Sequence, residues 1–354
     1  MSPSGVTAII LHLEAPLGAE PLVSVVTTAR ARLAERHRIG FLAAGASAAR
    51  VISGAPDGIS FGERLRGLTR RLPAGQGLVI MGSGAVPLAA RRDHARFIQA
   101  ASGGAAGRAL ANNRYSADIV AVPDARATLA DVPDLPTDNA LPRWLTEVAG
   151  LPVDDLAGRW RLAMDIDTAL DLVLLGGRWA AGLSATDRRR VDDRLELVRR
   201  VAADPRAELV LAGRTSPATL TWLTRTTASR TRALVEERGL RTSGPDQRPP
   251  ASVLGLLLDR DGPESLGDHL ARLGEAAVLD TRVLLAHRRG PDQSRWPSDG
   301  DRFASDLLLH ERIADPWLRE LTRAAADAPI PVLLGAHSLV GPGLRLALRS
   351  ARPR

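Results

Sequence analysis

The sequence predicts an α/β protein with a largely parallel sheet in its first part and a second domain that is α/β or mainly helical. Two observations carry this. Short apolar runs that end in small residues alternate with stretches of helical periodicity, and strands apolar on both faces belong in a sheet covered on both sides. The 354 residues also suffice for two domains with their own cores. The change of pattern near Arg178 gives a first domain over 1–178 and a second over 179–354.

Taken in order, VTAIILHL (6–13) is a β-rich apolar run, and PLVSVVTTARARLAERHR (21–38) has helical spacing with proline at its start. IGFLAAG (39–45) reads as a second strand. ISFGERLRGLTRRL (59–72) is an amphipathic helix that sets Leu65, Leu68 and Leu72 on one face. GLVIMGSG (77–84) is a buried strand, ARRDHARFIQAAS (90–102) a helix, and ADIVAV (117–122) a strand. The proline-punctuated loop DVPDLPTDNALP (131–142) leads into the helix RWLTEVAG. RLAMDI (161–166) reads as the last strand and TALDLVLL as a short helix.

In the second part ATDRRRVDDRLELVRRVAADP is an arginine-rich helix and ELVLAG (208–213) a strand. PATLTWLTRTTASRTRALVEERG reads as one long helix closed by Gly239, and TSGPDQRPP (242–250) as a loop. AAVLDTRVLLAH (276–287) and IPVLLGAHSLVG (330–341) look like buried strands, with GPDQSRWPSDGDRF (290–303) an exposed loop between them.

Composition removes several chemistries. There is no cysteine, so disulfides, thiolate metal sites and thiol nucleophiles are excluded. All 47 basic residues are arginine, which excludes a P-loop lysine and Schiff-base chemistry. The net charge of +7 is spread thinly: 19 arginines face 17 acids up to Arg178, and 28 face 23 beyond it. With 3% aromatics and no basic block, the reading is a mixed solvated surface and no nucleic-acid partner. No apolar stretch approaches the length of a membrane span and no charged n-region precedes the first one, so a cytoplasmic protein without membrane contact is expected.

MDIDTALDLVLL (164–175) raises the sharpest question. Asp165 and Asp167 lie where a strand gives way to a helix. Asp167 or Thr168 could cap that helix, whose positive end favours acids, or the two acids could hold a divalent cation by carboxylate oxygens. Three further stretches fall at strand ends. PDGISFGERLRG places Gly58, Ser60 and Gly62 in a strand-to-helix loop that could offer backbone N–H groups to a base or phosphate. MGSGAVPL contributes Ser83 and Gly84, and ANNRYSADI contributes Asn112, Asn113 and Arg114, the last a fork suited to phosphate. In the second part Asp280, Arg282, His287, Asp306, His337 and Ser338 flank predicted strands or helix starts. A Ser–His–Asp hydrolase could be built from these, although Ser338 does not stand in a Gly-x-Ser-x-Gly turn.

The apolar first strand, the GIS start of the next helix, the third strand running into Pro87–Leu88 and the closing DIDTALDL together resemble the MobA-like nucleotidyltransferase superfamily over residues 5–178. The branch they resemble most is that of the 2-phospho-L-lactate guanylyltransferases, with the cobinamide-phosphate guanylyltransferases as neighbours. The resemblance implies a Rossmann-related, GT-A-like domain that moves a nucleotidyl group from an NTP, GTP among the candidates, to a small phosphorylated acceptor with Mg²⁺. It places Asp165 and Asp167 as metal and catalytic acids, and Gly58, Ser60 and Gly62 on the loop facing the nucleotide. Two departures accompany it: LEAPLGAEPL (13–22) lacks the family's basic residues, and GSGAVPL lacks the aspartate that usually precedes that proline. The alternative implied is a degenerate member that binds a nucleotide or sugar nucleotide while the second domain works.

Overall fold

The computed structural model describes residues 5–103, 107–238, 240 and 248–349. These form two compact units: one runs up to Ala19 and includes Thr27–Ile166, the other comprises Glu20–Val26 and the chain from Asp167.

In the first unit, β1 (Val6–Leu13), β2 (Ala48–Gly54), β3 (Gly77–Gly82), β4 (Ala109–Ala111), β5 (Ile119–Val122) and β6 (Val153–Asp155) form one sheet in the order β2-β1-β3-β5-β4-β6. β1 is parallel to β2 and β3, and β4 to β6, while β5 is antiparallel to both its neighbours. The helices are α1 (Pro21–Ala43), α2 (Phe61–Thr69), α3 (Arg91–Ala101), α4 (Ala125–Thr128) and α5 (Leu141–Glu147). Alternate residues of the central strands feed two cores. Ile10, Val79 and Met81 pack with Phe41 and Phe97, whereas Ile9, Leu78 and Ile80 pack with Leu65, Leu129 and Leu141. This is why those strands are apolar throughout.

Two readings of this half are corrected. IGFLAAG is the end of α1, not a strand, because Phe41 is wholly buried against the sheet from a helix. The second strand is instead β2, whose alanine, arginine and serine residues disguise it. RLAMDI is not a strand either: Trp160–Leu162 is a 3₁₀ turn, and Asp165 makes only an isolated bridge with Ala85.

In the second unit α6 (Ala169–Leu175), α7 (Ala185–Ala203), β7 (Glu208–Gly213), α8 (Pro217–Thr226), β8 (Arg230–Val235), α9 (Val253–Asp261) and α10 (Leu266–Ala271) come first. They are followed by β9 (Ala276–Asp280), α11 (Thr281–Arg289), α12 (Asp299–Asp306), α13 (Pro316–Ala326), β10 (Val332–Gly335), α14 (His337–Val340) and α15 (Pro342–Ala347). The sheet is β10-β9-β7-β8, parallel throughout. Serine caps start many of these helices; Ser184, Ser216, Ser252 and Ser298 each accept a backbone N–H from the first turn.

The long helix read after β7 stops at Thr226, and SRTRALV continues as the edge strand β8. Its mostly exposed side chains lack the apolar signal of the inner strands. The apolar runs at 276–287 and 330–341 are strands only for their first residues and then turn into α11 and α14. The polar 290–303 stretch holds a 3₁₀ turn and the start of α12, with Trp296 and Phe303 buried. Gly239 and residues 242–247 lie outside the described residues. Among the described residues, no helix is long and apolar enough to cross a membrane.

Candidate functional site

Ligands on parallel α/β sheets sit beyond the carboxyl ends of the strands, and each unit has groups gathered there. In the first unit a cleft of about 370 Å³ opens past the ends of β1 and β3. Leu11, Ile59 and Ile119 give it apolar walls, and Asp118, Thr137 and Asp138 give it polar groups. Its size and mixed lining suit one small ring-bearing ligand. Gly58 lies on the wall with φ +71°, and nothing stands within 4 Å of where a Cβ would project. The cleft's cation is Arg64, which is paired with Asp57 at 2.5 Å.

The other expected nucleotide-binding residues have structural partners. Ser60 N-caps α2 through Glu63 N at 3.1 Å. Gly62 packs against the 133–135 backbone, where a Cβ would fall 1.8 Å from Pro133 O. Ser83 Oγ is 3.0 Å from His12 Nδ1, and both are buried. Gly84 lies under Ile166 O and the Arg30 side chain. Asn112 ties the β4–β5 connection by Nδ2 to Asp118 Oδ2 at 2.9 Å and to Leu162 O at 2.9 Å. Asn113 accepts from Tyr115 N at 2.9 Å, and Arg114 donates to Val153 O at 3.0 Å.

In the second unit Asp280 ends β9, and Arg214 and His337 stand just beyond the ends of its neighbours β7 and β10. Gly335 pairs with Asp280 and Ala212 with Leu279, so the chain leaves β7, β9 and β10 at one edge. Arg214 follows β7 and grips Asp280 in a fork, Nε to Oδ2 at 2.6 Å and Nη2 to Oδ1 at 3.0 Å. Gly213 permits this approach: at φ +126°, any Cβ would lie 2.3 Å from Asp280 Cβ. Burial would raise the Asp280 carboxyl, but Arg214, then His337 and Arg282, hold it below its ordinary range.

Arg282, on the first turn of α11, makes a second buried fork with Asp306 of α12 at 2.5 and 2.8 Å. Burial works against the Arg282 cation, yet Asp306 and Asp280 raise its pKa, so it carries its charge. Arg302 lies on the same helix, its guanidinium 5.7 Å from the Trp296 ring centre. Burial first, then Arg282, lowers it to about 10.

From the other side comes α6. Asp171 stands at the third position of that helix and accepts the backbone N–H groups of Asp167 and Thr168 at 2.9 and 2.7 Å. The sequence offered this helix-start role to Asp167 or Thr168; Asp171 fills it instead. Its second oxygen accepts Ser338 Oγ at 2.6 Å. Asp167 is half-buried, and it and His337 bring a carboxylate oxygen and a ring nitrogen within 4.8 Å of each other. Asp165, two residues before Asp167 in the chain, belongs to the first unit, where it forms an isolated bridge with Ala85. The donor set fits a divalent cation, and its imidazole is a ligand that manganese or zinc accepts more readily than magnesium does.

The structure thus brings Asp280, Arg282, Asp306, His337 and Ser338 to one edge of the second sheet. His287 is elsewhere: it accepts Ser252 N at 3.1 Å and sits 3.0 Å from Asp259, fastening α9 to α11. Arg214, Asp171 and Arg302 were missed by sequence reasoning. The signal for Arg214 was its place directly after the glycine that ends β7; Arg302 had none, since its helix read as a loop.

Fold and site together define an α/β protein with two sheets and a charged cluster at the strand ends of the second. No family model and no curated protein sequence matches the chain.

Proposed function

We propose that the chain is a divalent-metal-dependent enzyme of phosphate chemistry, with its working groups in the second unit and a nucleotide or sugar nucleotide bound by the first. The observation that carries this is the convergence of His337 and Asp167 beside two buried arginine–aspartate forks at the strand ends. Phosphoryl and nucleotidyl transfer need cations where charge develops. In the second unit that role falls to Arg214, Arg282 and Arg302 and to the ion held by the carboxylate–histidine group. A bound Mn²⁺ or Mg²⁺ would supply Lewis acidity and an activated water or hydroxyl.

A second reading, favoured by the cleft at Gly58, is Mg²⁺-dependent nucleotidyl transfer from an NTP to a phosphorylated acceptor on a GT-A-like first unit. The absence of a basic residue from 13–22, where a triphosphate would need a cation, weighs against it.

Thermal unfolding with Mn²⁺, Mg²⁺, GTP and ATP tests both, because a ligand of the folded state raises stability by mass action. The first reading expects a Mn²⁺ shift that disappears in His337→Ala and in Asp167→Asn. No shift with either metal would overturn it. A nucleotide shift needing Mg²⁺ but unaffected by His337→Ala would favour the second.

A further inference from the structure

A different feature of the second unit carries an inference of its own. A groove of about 1130 Å³ runs between the end of α7, the end of α8 and α15. Its charged lining is Arg199, Arg200, Arg345 and Arg349 against Glu196, with Trp222 as its aromatic side chain. These elements lie at the opposite end of the sheet from the charged cluster, since α7 leads into β7 and α8 into β8.

The arginines are set for recognition rather than strewn. Arg199 is fixed by Nε to Ala347 O at 2.7 Å, and Arg345 lies over the Trp222 ring at 5.0 Å. Glu196 is shared loosely by Arg199 and Arg200 at 3.7 and 3.5 Å. Arg200 keeps 71% of its side chain exposed. A held guanidinium loses less freedom on meeting a phosphate, and a Trp–Arg stack is a planar surface for a base.

Linear charge counting could not reveal this groove, because Arg199 and Arg200 reach it from one stretch and Arg345 and Arg349 from another. That second stretch is itself one-signed: residues 328–354 contain four arginines and no acid.

We propose that this groove binds single-stranded nucleic acid, with arginines on the phosphates and a base stacked at Trp222. A groove that tracks a charged backbone beside an aromatic platform is how strands are held without sequence preference. An acidic peptide would meet the charge but make no use of the stack. An open groove of this volume is also larger than a single small ligand needs.

The test is fluorescence anisotropy of a labelled oligothymidine of about twelve nucleotides with the full chain. Binding is expected to weaken roughly twentyfold for a fourfold rise in salt if about three arginines meet phosphates. Trp222→Ala is expected to weaken it about tenfold, with Trp222→Phe recovering most of the loss. The exposed pair Arg200→Gln and Arg349→Gln is expected to lower the salt dependence while leaving thermal unfolding unchanged. Wild-type chain that fails to bind at low salt would overturn the proposal. So would binding that both variants leave untouched, or polyglutamate competing as well as the unlabelled strand.

Discussion

Ser338 Oγ donates a 2.6 Å hydrogen bond to Asp171 Oδ1, joining residues 167 positions apart in the chain. Both groups are buried, and the bond fixes the start of α14 against the start of α6. His337 and Asp167, whose ring nitrogen and carboxylate oxygen lie within 4.8 Å of each other, are the neighbours of that joint. The bond therefore positions the groups beside it, which explains a buried serine near charged residues without making it a nucleophile.

The joint predicts an unusual pH dependence. Burial first, then the charge of Asp167, raises Asp171 to about 7 from 3.8, against the pull of its hydrogen bonds. Between those values the folded state keeps a proton that the unfolded chain has released. Stability is then fullest below pH 4 and falls as pH rises towards 7, by about 1.4 kcal/mol per unit at most. Asp171→Asn, which can keep the hydrogen bonds, should flatten this limb. Urea midpoints measured from pH 4.5 to 7.5 decide it; equal slopes for wild type and variant would rule the assignment out.

The first unit should show the opposite trend. His37 Nε2 lies 2.9 Å from Ala85 O and its Nδ1 2.9 Å from His94 Nε2, an arrangement two neutral imidazoles satisfy. Burial first, then His94, lowers His37 to about 3. Above pH 6.5 it is neutral folded or unfolded and its contribution is whole. As pH falls from 6.5 towards 3 the unfolded state alone takes up the proton, and stability drops by about 1.4 kcal/mol per unit. His37→Leu should start from a lower plateau, by about 1–3 kcal/mol for the donor lost to Ala85, yet decline less steeply in acid. Native-state hydrogen exchange at amides of β1 and β3 would follow this unit separately, and an unchanged acid limb there would contradict the account.

These buried groups also show what the sequence could and could not convey. β1, β3 and β7 were readable because their residues are apolar on both faces, a property of each strand alone. The run at 39–45 was misread because apolar residues ending at glycine fit a buried helix as well as a strand. β8 escaped because an edge strand need not be apolar. At the site, Asp280, Arg282, Asp306, His337 and Ser338 were each visible as polar residues at element ends. Their convergence was not visible, because it depends on strand order β10-β9-β7. Asp167 and Asp171 could not be told apart without knowing which one the helix start claims.

The fork between Arg282 and Asp306 yields a third prediction. Removing one partner of a buried pair leaves the other charge unanswered, so Asp306→Ala should cost about 3–5 kcal/mol. Replacing both, as in Arg282→Met with Asp306→Leu, should recover most of that, because the desolvation of two charges disappears with them. If the fork serves phosphate chemistry, the double variant will be stable but inert in the metal-dependent assay. Denaturant unfolding of the single and double variants measures the coupling directly. A double variant as unstable as Asp306→Ala would show that the cluster stabilises the fold by more than mutual neutralisation.

The glycines of PDGISFGERLRG separate support from recognition. An alanine at Gly62 would put Cβ 1.8 Å from Pro133 O, a backbone atom of the neighbouring segment. The helix or that segment must move, with a loss of about 1–3 kcal/mol or more. Gly58 has open space around it, and its φ of +71° costs an alanine only about 1–2 kcal/mol. A larger residue there projects from the wall of the cleft. Gly58→Val should therefore weaken nucleotide binding severalfold while the unit remains folded, and Gly62→Ala should lower the unfolding midpoint while the folded fraction binds as wild type does. Calorimetric titration with GTP alongside thermal unfolding distinguishes the two. If Gly58→Val binds as well as wild type, the base is held somewhere other than this cleft.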